Sequence, residues 1–440
     1  MFRFVLAALL PAFLMAGGSA LADSLVSAPP ALETLIVEAF EKNNEIASLE
    51  DKAESLRTAA PAAGELADPR IGLALANLPT DTFDFDQEPM TQKQVSISQA
   101  VPWFGKLSLA EKNALMDAVR QERIVEAKRW ELAKNIAVAW YELGQAVESI
   151  RINDQLNAIV DQVLRIAEVK YSTGTGLQQD IFSAQVRQTE LIDERIELEK
   201  RKRTSQARIN ALLNSDRAME IEPPGEIGAP GLDLKVEALE ARAVRDNPWT
   251  EVRLTEIRQA EIRRELAVKD YYPDMDYKVS YGQRDPDELG NDRADFLSAQ
   301  VTFSIPLWKK NKQDKKLAAA EKAKSAAVRS YESLAQTLPH QVRGIVAEIE
   351  ETERALDLVD KALTVQTSQW AESSMTAYEV GKLEFDTMIE SNTRLLRLEL
   401  KSLKYRTALN VKRAELEQLL GGTVAPASQQ ESPNGKEMTE

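Results

Sequence analysis

Few side chains in this sequence could do chemistry, and their placing favours electrostatics over catalysis. The 440 residues include no cysteine and a single histidine, His340. A thiol nucleophile is therefore absent. A Ser-His-Asp arrangement would rest on one imidazole standing in helical sequence, where a surface position is the simpler reading. Zinc, copper and iron–sulfur centres lack their usual donors, and the nine methionines are scattered. No cofactor and no metal site are expected, and no glycine-rich phosphate loop follows a strand. What remains is carboxylate: 70 acidic residues stand against 55 basic ones, a formal net charge of −15. That balance argues against nucleic acid as a partner, since phosphate binding needs a basic face. Two carboxylates stand out by position. Asp180 follows a turn at Gly174 and Asp386 follows one at Gly381. Each falls near the start of a helical run, where a negative charge meets the positive end of the helix dipole. Glycine suits such a turn because it accepts positive φ without steric cost.

The two turns are copies of one another. YSTGTGLQQDIFSAQVRQTEL (Tyr171 to Leu191) returns as YEVGKLEFDTMIESNTRLLRL (Tyr378 to Leu398), displaced by 207 residues. EAFEKNNEIASLE from Glu38 matches RAVRDNPWTEVRL from Arg242, Asp68-Pro69 matches Tyr272-Pro273, and Pro102 matches Pro306, all displaced by 204. The chain therefore reads as a duplicated unit, residues 23–226 and 232–422, joined near EPPGEIGAPG (Glu222 to Gly231). A polar tail, 423–440, is expected to be disordered. At the start, Arg3, the apolar run Phe4 to Met15 and Ala20-Leu21-Ala22 form a signal peptide over 1–22. A retained anchor is the alternative, and Pro11, Gly17 and Gly18 favour cleavage.

Each half is expected to hold three helical segments: 31–66, 105–170 and 177–214, then 233–270, 310–377 and 384–420. The middle segment of each would extend about 90 Å at 1.5 Å per residue. Its apolar stripe has coiled-coil spacing: Ile136, Trp140, Leu143, Val147 and Ile150, then after a phase shift Ile152, Leu156, Ile159, Val163 and Ile166. In the second half Val342, Ile345, Ile349, Thr352, Leu356, Val359 and Leu363 follow the same rule. Between the first and second helices the period becomes two. Strands are expected at about 69–78, 93–102, 274–283 and 297–306. Ile71, Leu73 and Leu75 alternate with Gly72, Ala74 and Ala76, and Tyr277, Val279 and Tyr281 with Lys278, Ser280 and Gly282.

Two hairpins are marginal alone in water and cannot close a barrel. They are either a soluble cap on a helical body or part of a membrane barrel assembled from several chains. The alternation of apolar with small or polar residues suits lipid on one side and a lumen on the other. Trp103, Phe104, Tyr271, Tyr272 and Trp308 cluster where strands meet helices, as an interfacial girdle would.

These features resemble the outer-membrane efflux proteins, the TolC-like channels. The resemblance rests on the duplicated plan, on SISQAVPWFGK and TFSIPLWKKNK, and on YSTGTGLQQDIFSAQ paired with YEVGKLEFDTMIESN. The PWFGK wording is most similar to the heavy-metal and cation efflux branch. The resemblance implies a mainly α fold with a small β part: a homotrimer whose chains give four strands each to a twelve-stranded outer-membrane barrel, continued by a periplasmic α-barrel. It implies a passive duct and no enzyme, served by an inner-membrane pump, of RND type, through a periplasmic adaptor. The turns become periplasmic tips, with Tyr171, Gly174, Asp180, Tyr378, Gly381 and Lys382 expected at the adaptor-docking end. The family's two lumen-facing acids fall on Thr387 and Glu390, so Glu390 keeps the acid and Thr387 does not. Asp386, about 100° away on the helix, could substitute if the helix starts slightly rotated. Rings of such carboxylates would select for cations. The competing reading is a soluble periplasmic coiled-coil scaffold or adaptor, although the β-rich flanks usual in adaptors are missing.

Overall fold

The structure is a computed structural model that describes residues 29–216, 218–287 and 289–424. The signal-peptide reading of 1–22 and nearly all of the 423–440 tail lie outside the described residues. The chain opens with α1 (Pro30–Lys42) and α2 (Asn44–Ala59), followed by a 3-10 turn, Ala60–Gly64. Strands β1 (Arg70–Ala76) and β2 (Gln92–Val101) lead into the long α3 (Lys106–Ser172), and α4 (Gln178–Leu212) returns. The second copy runs α5 (Val236–Asp246), α6 (Pro248–Lys269), β3 (Met275–Gln283), β4 (Phe296–Phe303) and α7 (Gln313–Leu358). A π-turn, Val359–Leu363, joins α7 to α8 (Thr364–Glu379), and α9 (Phe385–Leu420) ends the repeat.

The first helix of each half is two helices, not the single segments 31–66 and 233–270. The break is made by a buried asparagine used identically in both. Asn43 Oδ1 accepts from the N–H groups of Glu45 (3.0 Å) and Ile46 (3.1 Å), capping α2. Its Nδ2 donates to the Leu212 carbonyl at the end of α4, 2.9 Å away. Asn247 Oδ1 accepts from Trp249 N–H, and its Nδ2 donates to the Leu419 carbonyl, each at 2.9 Å. One side chain thus satisfies a helix start and a helix end together. The expected continuous stripe of the second half is likewise interrupted, at the π-turn.

Two compact units form, and they cut across the repeats instead of following them. One takes residues 49–124 and 251–333; the other takes the described residues up to 48, with 125–250 and those from 334. Equivalent segments of the two copies pair with each other, so each unit draws on both.

In the first unit the strands form one antiparallel sheet in the order β1-β2-β3-β4. Leu73 lies opposite Val95, Val95 opposite Tyr281, and Tyr281 opposite Leu297. One row over, Ile71, Ile97 and Val279 align. These side chains all point to one face and are exposed, Leu73 to 79%. The opposite face aligns Gly72, Ser96, Ser280 and Ser298. It is crowded as well as polar: a Cβ on Gly282 would fall 1.6 Å from Gln92 Oε1. Strand β4 stops three residues before Pro306, which has no N–H to donate to a ladder. Among the described residues no helix is long and apolar enough to cross a membrane.

In the second unit the core joins α5, α7 and α9. Leu239 and Ala243 pack with Leu338, Val342, Val346 and Ile349 and with Leu409, Leu416 and Leu420. The segment between the repeats is part of this unit. Trp140 Nε1 donates to the Glu222 carbonyl (3.0 Å), and Asn410 Nδ2 donates to the Gly228 carbonyl (2.8 Å). A Cβ on Gly144 would lie 2.2 Å from Pro224. Ile221 and Ile227 are buried.

Candidate functional site

The two glycine turns end α3 and α8 in the same way. Gly174 has φ +73° and Gly381 φ +74°. Gly174 N–H reaches the Tyr171 carbonyl and Thr175 N–H the Lys170 carbonyl, at 3.0 and 2.9 Å. In the second turn Gly381 N–H reaches Tyr378 and Lys382 N–H reaches Ala377, at 3.0 and 2.8 Å. Both are the 6→1 and 5→2 pattern of a left-handed helix cap. Nothing lies within 4 Å of a Cβ at either glycine, so backbone conformation alone requires glycine there.

Around this common frame the two turns differ. Tyr378 is 3% exposed and Tyr171 is 47% exposed. Tyr378 packs edge-on against Phe385 with ring centres 5.9 Å apart. Both lie in one buried cluster with Val163 of α3, Ala184 of α4 and Met388 of α9. Lys170 of the first repeat donates to the Tyr378 carbonyl, and its ammonium sits 3.8 Å from the centre of that ring. The turns of the two repeats are therefore fastened together. Lys170 and Phe385 were not singled out by sequence. No local pattern marks Lys170, whose role depends on a residue 208 positions away.

The acids gather on the same spot. Partial burial, and then the Asp386 carboxylate, hold Asp180 above the ordinary carboxylate range; a backbone hydrogen bond at Leu177 and the Lys170 ammonium pull the other way. Burial, followed by the charge on Asp180, pushes the Tyr378 phenol up. Its hydroxyl is buried with no hydrogen-bond partner among the described residues. Asp386 and Glu390 are exposed on α9, and Thr387 is half-buried between them. Asp386 also lines a groove of about 620 Å³ with Gln178, Phe182 and Val186 of α4 and Ile389 of α9. Lys382 is exposed at the turn, as are Leu177 and Val380. Among the described residues no group of three or more histidine, aspartate or glutamate side chains is placed to hold a metal ion.

The aromatic residues lie at the strand–helix junctions of the sheet-bearing unit. Trp103 stacks on Tyr272 with ring centres 5.1 Å apart and planes 10° apart, and Phe104 meets Trp103 edge-on at 5.6 Å. Tyr271 donates to Asp314 at 2.5 Å. Phe104 and Trp308 are exposed. The junction is held by Asp274, which accepts from Trp103 N–H (2.8 Å) and Lys106 Nζ (2.9 Å).

A sheet with a bare apolar face and open edges, joined to paired helical hairpins, defines a class of protein. No curated protein matches the sequence, but solved structures share the fold. CusC, whose structures concern folding and transmembrane channel formation, superposes with a TM-score of 0.74 at 15% identity, covering 89% of this chain and 92% of that one. VceC, an outer membrane protein of Vibrio cholerae, gives 0.73 at 16% identity, covering 89% and 96%. The MtrE outer membrane channel of Neisseria gonorrhoeae gives 0.71 at 15%, covering 89% of each. The fold is thus that of the TolC-like outer-membrane channels. Sequence narrows this further: residues 252–422 match the outer membrane efflux protein family, a family of outer-membrane export channels and not of enzymes.

Proposed function

We propose that this chain is the outer-membrane duct of a three-part export system. Three copies close a twelve-stranded barrel, four strands from each. A periplasmic adaptor docks at the glycine turns, where Leu177, Val380 and Lys382 are exposed. An inner-membrane pump, of RND type, drives small molecules or metal cations through, and the duct itself is passive. The observation that carries this reading is the sheet. Its exposed face is apolar, its other face is small and polar, and both edge strands have open hydrogen-bonding groups. In lipid every backbone group must be paired, so such a sheet needs closure by further strands. Glu390, with Asp386 one turn away, gives the mouth a negative rim that favours cations.

Deleting the gene and challenging cells with divalent metals and cationic drugs tests the reading. Increased sensitivity to one class, restored by the intact gene, is expected. A chain that washes from membranes with salt, with no change in sensitivity, would instead be a periplasmic scaffold. For the mouth, Glu390→Gln should lower cation selectivity in planar bilayers; unchanged selectivity would remove Glu390 from that role.

A further inference from the structure

The two junctions from strand to long helix are built differently. Helix α3 starts at Lys106, four positions after Pro102, and α7 starts at Gln313, seven after Pro306. The displacement between the copies changes there from 204 to 207. The longer junction is strongly basic: five of the eight residues from Lys309 to Lys316 are lysine, in a chain of formal net charge −15. It is wound into a turn, with Lys312 N–H donating to the Trp308 carbonyl at 3.0 Å and Asp314 N–H to the Lys309 carbonyl at 2.9 Å. All five lysines are exposed.

Most of this charge is left unmatched by the chain itself. Asp270 takes Lys316 at 2.7 Å and Lys106 at 3.4 Å, and Asp274 also holds Lys106. Asp314 accepts from Tyr271. Lys309, Lys310, Lys312 and Lys315 form no ion pair among the described residues. Helix α7 gains nothing from them, because positive charge at a helix start opposes the dipole. A local conflict of this kind is expected where residues serve something outside the fold. Beside the lysines stands an apolar edge. Val301 and Phe303 of β4 and then Ile305 continue the bare face of the sheet to its end, and Leu307 and Trp308 are each 73% exposed. The first junction is instead spent on internal contacts: Trp103 stacks on Tyr272, and Lys106 is held by the two aspartates.

We propose that the second junction binds anionic phospholipid headgroups in the periplasm-facing leaflet of the outer membrane. The inference rests on the reading that the sheet lies in lipid. The helices of this fold extend into the periplasm, so the helix end of the sheet meets that leaflet, which is built of phospholipid. Leu307 and Trp308 enter the acyl boundary, where an indole ring is favoured. The ammonium groups of Lys309, Lys310 and Lys312 follow directly and meet headgroup phosphate as point charges. Apolar contact and a basic cluster together hold a lipid surface better than either alone. The rest of the chain is acidic, so the attraction is local to this junction, and the inserted positions of the second copy carry it.

Trp308 is itself the reporter. The full chain is reconstituted in phosphatidylcholine vesicles in which brominated phosphatidylglycerol or brominated phosphatidylcholine replaces part of the lipid, and tryptophan fluorescence is read. Brominated phosphatidylglycerol should quench the emission that Trp308→Phe removes, with an affinity at least about fivefold that of brominated phosphatidylcholine, the effect of one lysine near a charged surface. K309Q/K310Q/K312Q should bring that ratio to about one, and K309R/K310R/K312R should retain it. Salt at about 1 M, where the Debye length is about 3 Å, should weaken it. Should the glutamine variant not fold, the unmodified chain with and without salt still decides. Equal quenching of Trp308 by the two lipids overturns the inference, leaves the channel reading standing and assigns the lysines to an acidic periplasmic protein. A preference that persists in Trp308→Phe places the lipid elsewhere and overturns the assignment. No quenching by either lipid takes the junction out of the membrane and removes both readings.

Discussion

The Lys170 ammonium rests 3.8 Å from the centre of the Tyr378 ring and donates to the carbonyl of the same residue, tying the tip of one repeat to the tip of the other. A charged hydrogen bond and a cation–π contact together contribute about 1–2 kcal/mol at a half-exposed site. Lys170→Met should therefore loosen the contact between the two turns by roughly 5–30-fold. The measurement is hydrogen exchange at the turn residues. Tyr378→Phe removes a buried hydroxyl that has no hydrogen-bond partner among the described residues, so stability should hold or rise.

The tip should also respond to acid. Asp180 is held above its ordinary value of 3.8 by burial first and then by Asp386, with Glu384 adding and Lys170 opposing. A carboxyl raised in the folded state binds its proton more tightly there than in the unfolded chain. Folding is then favoured as pH falls through the raised value, and that increment is lost as pH climbs above it. Acidification through that raised value should slow hydrogen exchange at the turns relative to neutral pH. Asp180→Asn should flatten that profile.

The asparagine breaks can be tested as a pair. Asn43→Ala or Asn247→Ala removes a helix cap and a bond to the end of another helix. Each should cost about 1–3 kcal/mol, read as a lower thermal midpoint in detergent. Similar losses at the two sites would confirm equivalent use.

Glycine should matter unequally. Gly381→Ala meets open space and bears only the cost of positive φ, about 1 kcal/mol. Gly421→Ala bears that cost and also sets a Cβ 2.4 Å from the Asp246 carbonyl oxygen. Gly421→Ala should destabilise more, by equilibrium unfolding in denaturant.

The faces of the sheet should differ in tolerance. Leu73→Lys places a charge on the apolar face, at about 2–4 kcal/mol if that face meets the bilayer midplane. Ser96→Lys places it on the polar face. Membrane yield should fall for the first and much less for the second.

Sequence by itself determined what depends on local period and on backbone conformation. Alternation placed Ile71, Leu73 and Leu75 on one face of a strand, and Gly174 and Gly381 stand where positive φ is needed, because both are set within a few residues along the chain. The duplication was also legible, since equivalent turns kept equivalent residue types. Tertiary structure alone decided how the copies diverge. Tyr171 and Tyr378 occupy the same place in the same turn, yet only Tyr378 is buried, because Lys170, Val163 and Ala184 of the first repeat pack around it, with Phe385 closing in from across its own turn. The Asn43 break was equally hidden. Its partner is the end of a helix 169 residues away, and a cap that serves two helices exists only once packing has brought them together.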